Sequence, residues 1–206
     1  MNQPKRIFSF LSIMLIVLCG ASTFFAQADP NLRPEQSYEA VLQVVLGVND
    51  ASVKTDIPQN LSTISKQLRD NYSFPSYRLA NTFIGRVTNN GTLEYRSVSD
   101  IFGQPSDQEI PVFLEWTLGR LQSLPGTGGQ PVMNAQPFRF GARVPVRTGP
   151  RTAEARANEV INYEQVGLTV NRVSVPENRP TLIGTLALPK TTGTMFLVLT
   201  VRPTGN

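Results

Sequence analysis

Residues 195–202 (MFLVLTVR) constrain the fold of this chain more than any other stretch. As a strand, this stretch is apolar on both faces, with Met195, Leu197, Leu199 and Val201 on one face and Phe196 and Val198 on the other. Such a strand must be covered on both sides, because either face would otherwise expose apolar side chains to water. Residues 181–188 also favour a strand, and a short connection containing Gly193 joins the two runs. The end of the chain is therefore predicted to be a buried β-hairpin, which the rest of the chain must cover.

One helix is convincing in the remaining sequence. Residues 59–70 place Leu61, Ile64 and Leu68 at helical spacing, so that they form one apolar stripe. Asn60 is suited to cap the start of this helix. The sequence therefore predicts a single amphipathic helix that packs one face against the core.

Strand-like runs precede and follow this helix. Residues 38–48 have apolar side chains on both faces of a strand, and residues 77–87 and 92–98 are two further runs of this type. An Asn-Gly pair at 90–91 lies between the last two, and this pair is the strongest short-range signal for a hairpin. The first half is therefore predicted to be β-α-β-β, with its last two strands paired as a hairpin.

The second half is predicted to be a meander of antiparallel strands. Residues 111–121 form an apolar run, and residues 136–147 alternate apolar side chains with arginines, as in a half-exposed strand. Residues 160–175 also alternate, but the apolar phase slips at Val166 and Gly167, where a β-bulge is predicted.

The predicted fold class is α+β and mainly antiparallel β. A β-α-β-β first half is followed by a strand meander that ends in the buried C-terminal hairpin, with one clear helix in the mature chain. Residues 29–206 are predicted to form one secreted domain, in which the run LPGTGGQP at 124–131 marks a division into two subdomains near 122–132. The element order resembles that of the small periplasmic domains of secretin and pilus-assembly machinery; this resemblance implies no function.

Residues 1–28 have the composition of a secretory signal peptide. Basic residues at positions 5 and 6 precede an apolar run at 7–19, and an A-x-A cleavage sequence follows at 26–28. The apolar run is short for a membrane span. Cleavage after residue 28 is therefore predicted, and retention of the segment as an anchor is the alternative.

The composition of residues 29–206 favours the periplasm or outer cell envelope of a bacterium. The chain has 19 basic and 15 acidic residues, and loss of residues 1–28 removes two basic ones, which leaves about +2. This small charge does not favour nucleic acid, and membrane contact is expected only through the signal peptide or weak electrostatics. The one Cys, at position 19, lies in the signal peptide, so the secreted part has no disulfide. A secreted domain of this size without disulfides is typical of bacteria.

The absence of His from the sequence excludes many reaction types. Without His, and without Cys after position 19, the mature chain has no Ser-His-Asp or Cys-His arrangement, and no zinc or haem site built from these residues. Covalent or acid–base catalysis would depend on a Ser–Lys pair or on carboxylates. The sequence therefore predicts a protein that is not an enzyme and has no metal site and no cofactor.

Three arginines are candidate binding residues. Arg139, Arg143 and Arg147 share one face of the strand predicted at 136–147, about 13 Å apart from one to the next. They could contact an acidic protein surface or lipid headgroups. The alternative is a solvated face that protects a strand edge from unwanted pairing. No aromatic residue interleaves with these arginines, so a nucleic-acid platform is not expected.

Glu115 and Trp116 form a second candidate site in the run at 111–121. A carboxylate in apolar surroundings has a raised pKa, as a general acid requires, and Trp is a common platform for sugars. The alternative is that Glu115 points to solvent while the alternate residues Val112, Leu114, Trp116 and Leu118 face the core.

The leading functional prediction is a non-enzymatic cell-envelope protein that binds another envelope protein. The contact would use an edge strand or the arginine face, and the protein would be an accessory of an envelope assembly or secretion apparatus. A periplasmic module that binds a small ligand or glycan near Trp116 is the first alternative. A carboxylate-based hydrolase that uses Glu115 as its acid is the second.

Overall fold

The computed structural model describes residues 35–99, 111–148, 160–187 and 193–205, and these contain one α-helix and eleven β-strands. The helix α1 covers Ser62–Asn71 and follows a 3₁₀ turn at Gln59–Leu61. The strands are β1 (Ser37–Val48), β2 (Ser76–Thr88), β3 (Leu93–Ser99), β4 (Val112–Leu118), β5 (Gln122–Leu124), β6 (Val132–Ala135), β7 (Phe138–Thr148), β8 (Val160–Val170), β9 (Val173–Pro176), β10 (Thr181–Ala187) and β11 (Thr194–Pro203). The predicted α+β, mainly antiparallel class is confirmed, as is the β-α-β-β element order of the first half. The predicted signal peptide lies outside the described residues.

The strands form three antiparallel sheets. Sheet A has the order β10-β11-β1-β2, sheet B has the order β3-β4-β7-β8, and sheet C has the order β5-β6-β9. In sheet A the last strand pairs with the first, and Leu42 lies opposite Leu199. Strand β11 is therefore an interior strand, and the two ends of the described chain are joined through it.

The main core lies between sheet A on one side and sheets B and C on the other. Its fully buried side chains include Leu42 and Leu199 from sheet A, Trp116 and Phe138 from sheet B, and Met133 from sheet C. Burial of apolar side chains of this size stabilises a fold by about 1.5–3 kcal/mol each. This core accounts for the alternation of strands β4 and β7, whose other faces point away from it.

Helix α1 covers the opposite face of sheet A. Its residues Ile64 and Leu68, together with Leu61 of the preceding 3₁₀ turn, pack in one cluster with Phe196 and Val198 of β11. Strand β11 is thus buried on both faces, as its sequence predicts. No helix among the described residues is both long and apolar enough to cross a membrane.

The hydroxyl of Tyr77 closes the end of α1. It lies 3.1 Å from the main-chain oxygen of Leu68 and 2.8 Å from that of Tyr72, so its one proton can be donated to either carbonyl at the point where the helix ends. Burial is the main cause of a raised pKa for Tyr77. The end of the helix is therefore held against the start of β2 by a buried hydrogen bond, in addition to the packing of its apolar stripe.

The hairpin predicted at the Asn-Gly pair is wrong. The chain does reverse there, since Asn90 has a φ of 63° and the Gly91 N–H donates to the Thr88 oxygen at 2.9 Å. However, β2 pairs with β1 in sheet A, whereas β3 pairs with β4 in sheet B. The turn fixes only the local reversal, and the apolar face of each strand then determines the sheet that it joins.

The bulge predicted at Val166 and Gly167 is also wrong. Strands β7 and β8 pair without a shift of register there, and Gly141 lies directly opposite Gly167. The irregularity lies at residues 171–172, where the chain leaves sheet B and continues as β9 in sheet C.

Side-chain contacts join the edge strands of sheets A and B. A Cβ added at Gly85 of β2 would lie 2.6 Å from a methyl of Leu93 on β3, and one at Gly184 of β10 would lie 2.6 Å from a methyl of Leu168 on β8. Strand β2 therefore contacts β3 at one side of the sandwich, and β10 contacts β8 at the other.

Candidate functional site

The outer face of sheet B is the candidate site. Strands β4 and β7 bury one set of alternate residues, including Leu114, Trp116, Phe138 and Phe140, in the main core. The intervening residues point outward, because successive side chains of a strand lie on opposite faces. This face carries two of the three predicted arginines, Arg139 and Arg143.

The strand register arranges the outward residues in three rows across the four strands. Each row takes one residue from β3, β4, β7 and β8 in that order. The first row is Val98, Phe113, Arg143 and Gln165, the second is Arg96, Glu115, Gly141 and Gly167, and the third is Glu94, Thr117, Arg139 and Thr169.

Two facing glycines open a gap in this layer of side chains. Gly141 and Gly167 lie opposite each other, and a hollow of about 500 Å³ is lined by these glycines, by residues of the second and third rows and by Gln165 of the first. We call it the glycine hollow. Arg139 lines it and Arg143 does not.

The packing around the two glycines differs. A Cβ at Gly167 would lie 2.5 Å from the main-chain oxygen of Phe140, so the close approach of β7 requires a glycine there. A Cβ at Gly141 would have only ordinary contacts, at 3.7 Å from Glu115 and 3.8 Å from Gln165. Packing within this chain therefore explains Gly167 but does not explain Gly141.

The charged groups around the glycine hollow balance. Arg96 lies 3.9 Å from Glu115, and their side chains are 78% and 47% exposed, so this ion pair contributes little to stability. Arg139 and Glu94 supply the other two charges of the lining. With two arginines and two glutamates, the hollow offers both donors and acceptors without a net charge.

A pair of aromatic side chains lies next to Arg143, outside this hollow. The guanidinium of Arg143 lies 5.2 Å from the ring centroid of Phe113, which lies 5.8 Å from that of Tyr163. Val98, opposite Phe113 on β3, is 60% exposed. We call Val98, Phe113, Arg143 and Tyr163 the arginine–aromatic patch.

The structure places Arg139 and Arg143 on one sheet face but corrects the alternative given for them. Residues 138–143 of β7 pair with β4 on one side and with β8 on the other, so these two arginines lie on an interior part of the strand and do not protect an edge. Arg139 and Arg143 lie on either side of Gly141, one at the glycine hollow and the other in the patch. The side chain of Arg147 lies outside the described part of the structure.

Trp116 cannot serve as an exposed platform for a sugar. Its side chain is 1% exposed and lies between Tyr95 and Phe138 in the main core. Glu115 points outward with its side chain about half exposed and close to Arg96. This arrangement matches the alternative in which Trp116 faces the core, and Glu115 lacks the apolar surroundings that a general acid needs.

Sequence reasoning missed the aromatic members of the patch. The alternation of residues 112–118 assigns Val112 and Leu114 to the core, and the same phase places Phe113 on the outer face. The alternation within this one strand therefore indicates that Phe113 is exposed. By contrast, the proximity of Tyr163 to Phe113 depends on how β4, β7 and β8 are aligned, which no single strand reveals.

Comparisons with known proteins give only remote structural likenesses. No protein-family model and no curated protein matches this chain. It is similar to the InvG secretin domain of the Salmonella SPI-1 injectisome at 12% identity over 99% of this chain and 69% of that one, with a TM-score of 0.31.

Two other secretion-system structures give similar results. The Klebsiella pneumoniae type II secretion outer-membrane complex of PulD, PulS and PulC aligns at 10% identity over 98% of this chain and 43% of that one, with a TM-score of 0.39. The V. cholerae competence pilus secretin PilQ aligns at 12% identity over 84% and 58%, with a TM-score of 0.32. Likenesses this weak establish neither a family nor a function for this chain.

Proposed function

We propose that this chain is a non-enzymatic protein of the bacterial cell envelope that binds another protein through the arginine–aromatic patch. The observation that carries this proposal is the exposed stack of Arg143 on Phe113, with Tyr163 and Val98 beside it. We place the contact on the arginine face rather than at an edge strand, because an exposed arginine and exposed aromatic side chains lie together there.

The composition of the patch is that of an interface centre. Aromatic residues and arginine are enriched where proteins bind each other, and they dominate the binding free energy at such sites. Phe113 is 37% exposed, Tyr163 is 43% exposed and Val98 is 60% exposed, so a partner would remove apolar surface from water at all three. Burial of that surface favours binding.

Arg143 supplies the polar part of the contact. Among the described residues no carboxylate pairs with it, and its stacking on Phe113 restricts its orientation. An arginine held in place loses less conformational entropy when it forms a hydrogen-bonded pair. A partner with a carboxylate beside an apolar surface fits this arrangement.

The envelope location is supported by the sequence alone. Residues 1–28 have the features of an export signal, and residues 29–206 contain no cysteine. We further propose that the protein acts there as an accessory of an envelope assembly or secretion apparatus.

Affinity capture from a bacterial envelope extract tests the proposal. The immobilised protein is expected to retain a specific protein, and Arg143→Glu is expected to reduce the amount retained at least tenfold, because it replaces an attractive charge by a repulsive one. Arg179→Glu, an identical charge change at an exposed turn, is the matched control and is expected to retain the partner. Equal recovery by Arg143→Glu and the wild type, or no capture by the wild type, contradicts the proposal.

A further inference from the structure

We propose that the glycine hollow is a binding site for a short neutral oligosaccharide. This site is separate from the arginine–aromatic patch, since Val98, Phe113, Arg143 and Tyr163 do not line the hollow. It adds a ligand to the proposed protein contact.

The presence of a glycine at position 141, in the interior of a strand, is the first observation that points to a ligand. Glycine in the interior of a strand costs about 0.5–1 kcal/mol relative to alanine. A side chain at position 141 would fit, because its Cβ would meet Glu115 and Gln165 at 3.7 Å and 3.8 Å. No close contact within the described chain therefore requires a glycine at this position. A strand glycine on the floor of a hollow is typical of a place where a ligand approaches the main chain.

The polar groups above this floor come from both sides. The position of a Cβ at Gly141 lies 3.7 Å from the carboxylate oxygen Oε1 of Glu115 and 3.8 Å from the amide nitrogen Nε2 of Gln165. An acceptor from β4 and a donor from β8 therefore converge over the same glycine. The hydroxyls of Thr117 and Thr169 add groups that both donate and accept.

The charge balance selects a neutral ligand that both donates and accepts. Arg96 and Arg139 offset Glu94 and Glu115, so the hollow does not attract an anion or a cation by net charge. Each sugar hydroxyl donates one hydrogen bond and accepts others, as this mixture of side chains requires. The volume of about 500 Å³ is within the range of small-molecule sites.

The main chain of the site disfavours a peptide as the occupant. Extended peptides bind mainly through main-chain hydrogen bonds to a free strand edge. Here the floor strand β7 already pairs with β4 on one side and β8 on the other. Recognition in the hollow must therefore come from side chains, which suits a ligand whose own polar groups are hydroxyls.

Amide chemical shifts of the ¹⁵N-labelled exported protein test the site. The probes are maltotriose, cellotriose, mannotriose and tri-N-acetylchitotriose, each added to about 10 mM so that a Kd near 1 mM is detected. We expect one of these sugars to shift the amides of Gly141, Gly167 and Gln165. Gly141→Val, whose branched side chain projects into the hollow above its floor, is expected to weaken that binding at least tenfold, and Gly141→Ala to weaken it less.

Phe113→Ala is the matched control, because it changes the patch and leaves the hollow intact. It is expected to bind the sugar as the wild type does, while Gly141→Val still captures the protein partner. No sugar-induced shift at these amides, equal sugar binding by Gly141→Val, or tighter binding of the acidic peptide Glu-Gly-Glu overturns the inference. Loss of the protein partner in Arg143→Glu without loss of sugar binding separates this site from the proposed protein contact.

Discussion

The facing glycines of sheet B predict opposite effects of the same substitution. In Gly167→Ala the new Cβ would lie 2.5 Å from the Phe140 oxygen and 3.1 Å from the Gly141 Cα, and all of these neighbours are main-chain atoms. Strand β8 must move away from β7, and overpacking of this kind costs about 1–3 kcal/mol. In Gly141→Ala the new Cβ has ordinary contacts, and the loss of backbone freedom in the unfolded chain stabilises the fold by about 0.4–1 kcal/mol.

Thermal unfolding followed by circular dichroism measures both effects. In a domain of this size 1 kcal/mol corresponds to about 2–4 °C in Tm. With a cost of about 2 kcal/mol, Gly167→Ala is expected to unfold about 4–8 °C below the wild type. Gly141→Ala is expected to unfold at the wild-type temperature or up to about 4 °C above it. An unchanged Tm for Gly167→Ala, or a lower Tm for Gly141→Ala than for Gly167→Ala, would refute the reasoning about the hollow's floor.

Three further perturbations test the core and the helix contact. Tyr77→Phe removes the hydroxyl that meets the Leu68 and Tyr72 oxygens, so urea unfolding is expected to show a loss of about 1–3 kcal/mol. Because burial raises the pKa of Tyr77 above 10.0, the folded state holds this proton more tightly, and that stability is present below pH 10.0 and lost as pH rises through the folded pKa. The wild type should therefore lose its advantage over Tyr77→Phe in alkaline urea titrations, and a constant difference at all pH values contradicts this. The indole N–H of Trp116 is buried without a hydrogen-bond partner in the described structure, so Trp116→Phe loses no hydrogen bond. It is expected to lower the free energy of unfolding by less than about 2 kcal/mol, whereas Trp116→Ala is expected to lower it by about 3–5 kcal/mol. Equal losses for the two variants would contradict this expectation. Truncation before Thr194 removes β11 from between β1 and β10 and should prevent folding, whereas a soluble truncated protein that melts cooperatively shows that β11 is dispensable.

The parts of the fold that the sequence predicts are those set by one element alone. The apolar residues on both faces of residues 195–202 require cover on two sides, and β11 has α1 on one side and the main core on the other. The stripe of Leu61, Ile64 and Leu68 likewise predicts a helix at 59–70, and the structure has helical turns from Gln59 to Asn71. Periodicity is sufficient in both cases because the signal lies within the element.

Strand partners could not be predicted in the same way. The Asn-Gly pair at 90–91 forms a tight turn, yet β2 and β3 join different sheets. A two-sheet sandwich can place a turn at its corner as well as within one sheet, and the local sequence does not distinguish the two. The bulge predicted near Gly167 is wrong for a related reason: the close approach of the neighbouring strand β7 requires that glycine, and the sequence of β8 alone does not show this.

The candidate site was partly accessible from the sequence. Alternation along residues 136–147 predicts that Arg139 and Arg143 share an exposed face, and the structure places both on the outer face of sheet B. The glycine hollow depends on Gly141 lying opposite Gly167, which is a property of the strand register. Trp116 was misjudged as a platform because a large aromatic residue on the inner phase of a strand fills the core.

The central claim is that the outer face of sheet B contacts a protein partner. Photo-crosslinking in the bacterial envelope tests it most directly, with a benzophenone amino acid in place of Val98 on β3 or of Ile84 on β2. The two sites are closely matched, since Val98 is 60% exposed and Ile84 is 55% exposed, but Ile84 lies on a different sheet. A discrete adduct from position 98 and none from position 84 is the predicted result. No adduct from position 98, or the same adduct from both positions, would contradict the claim.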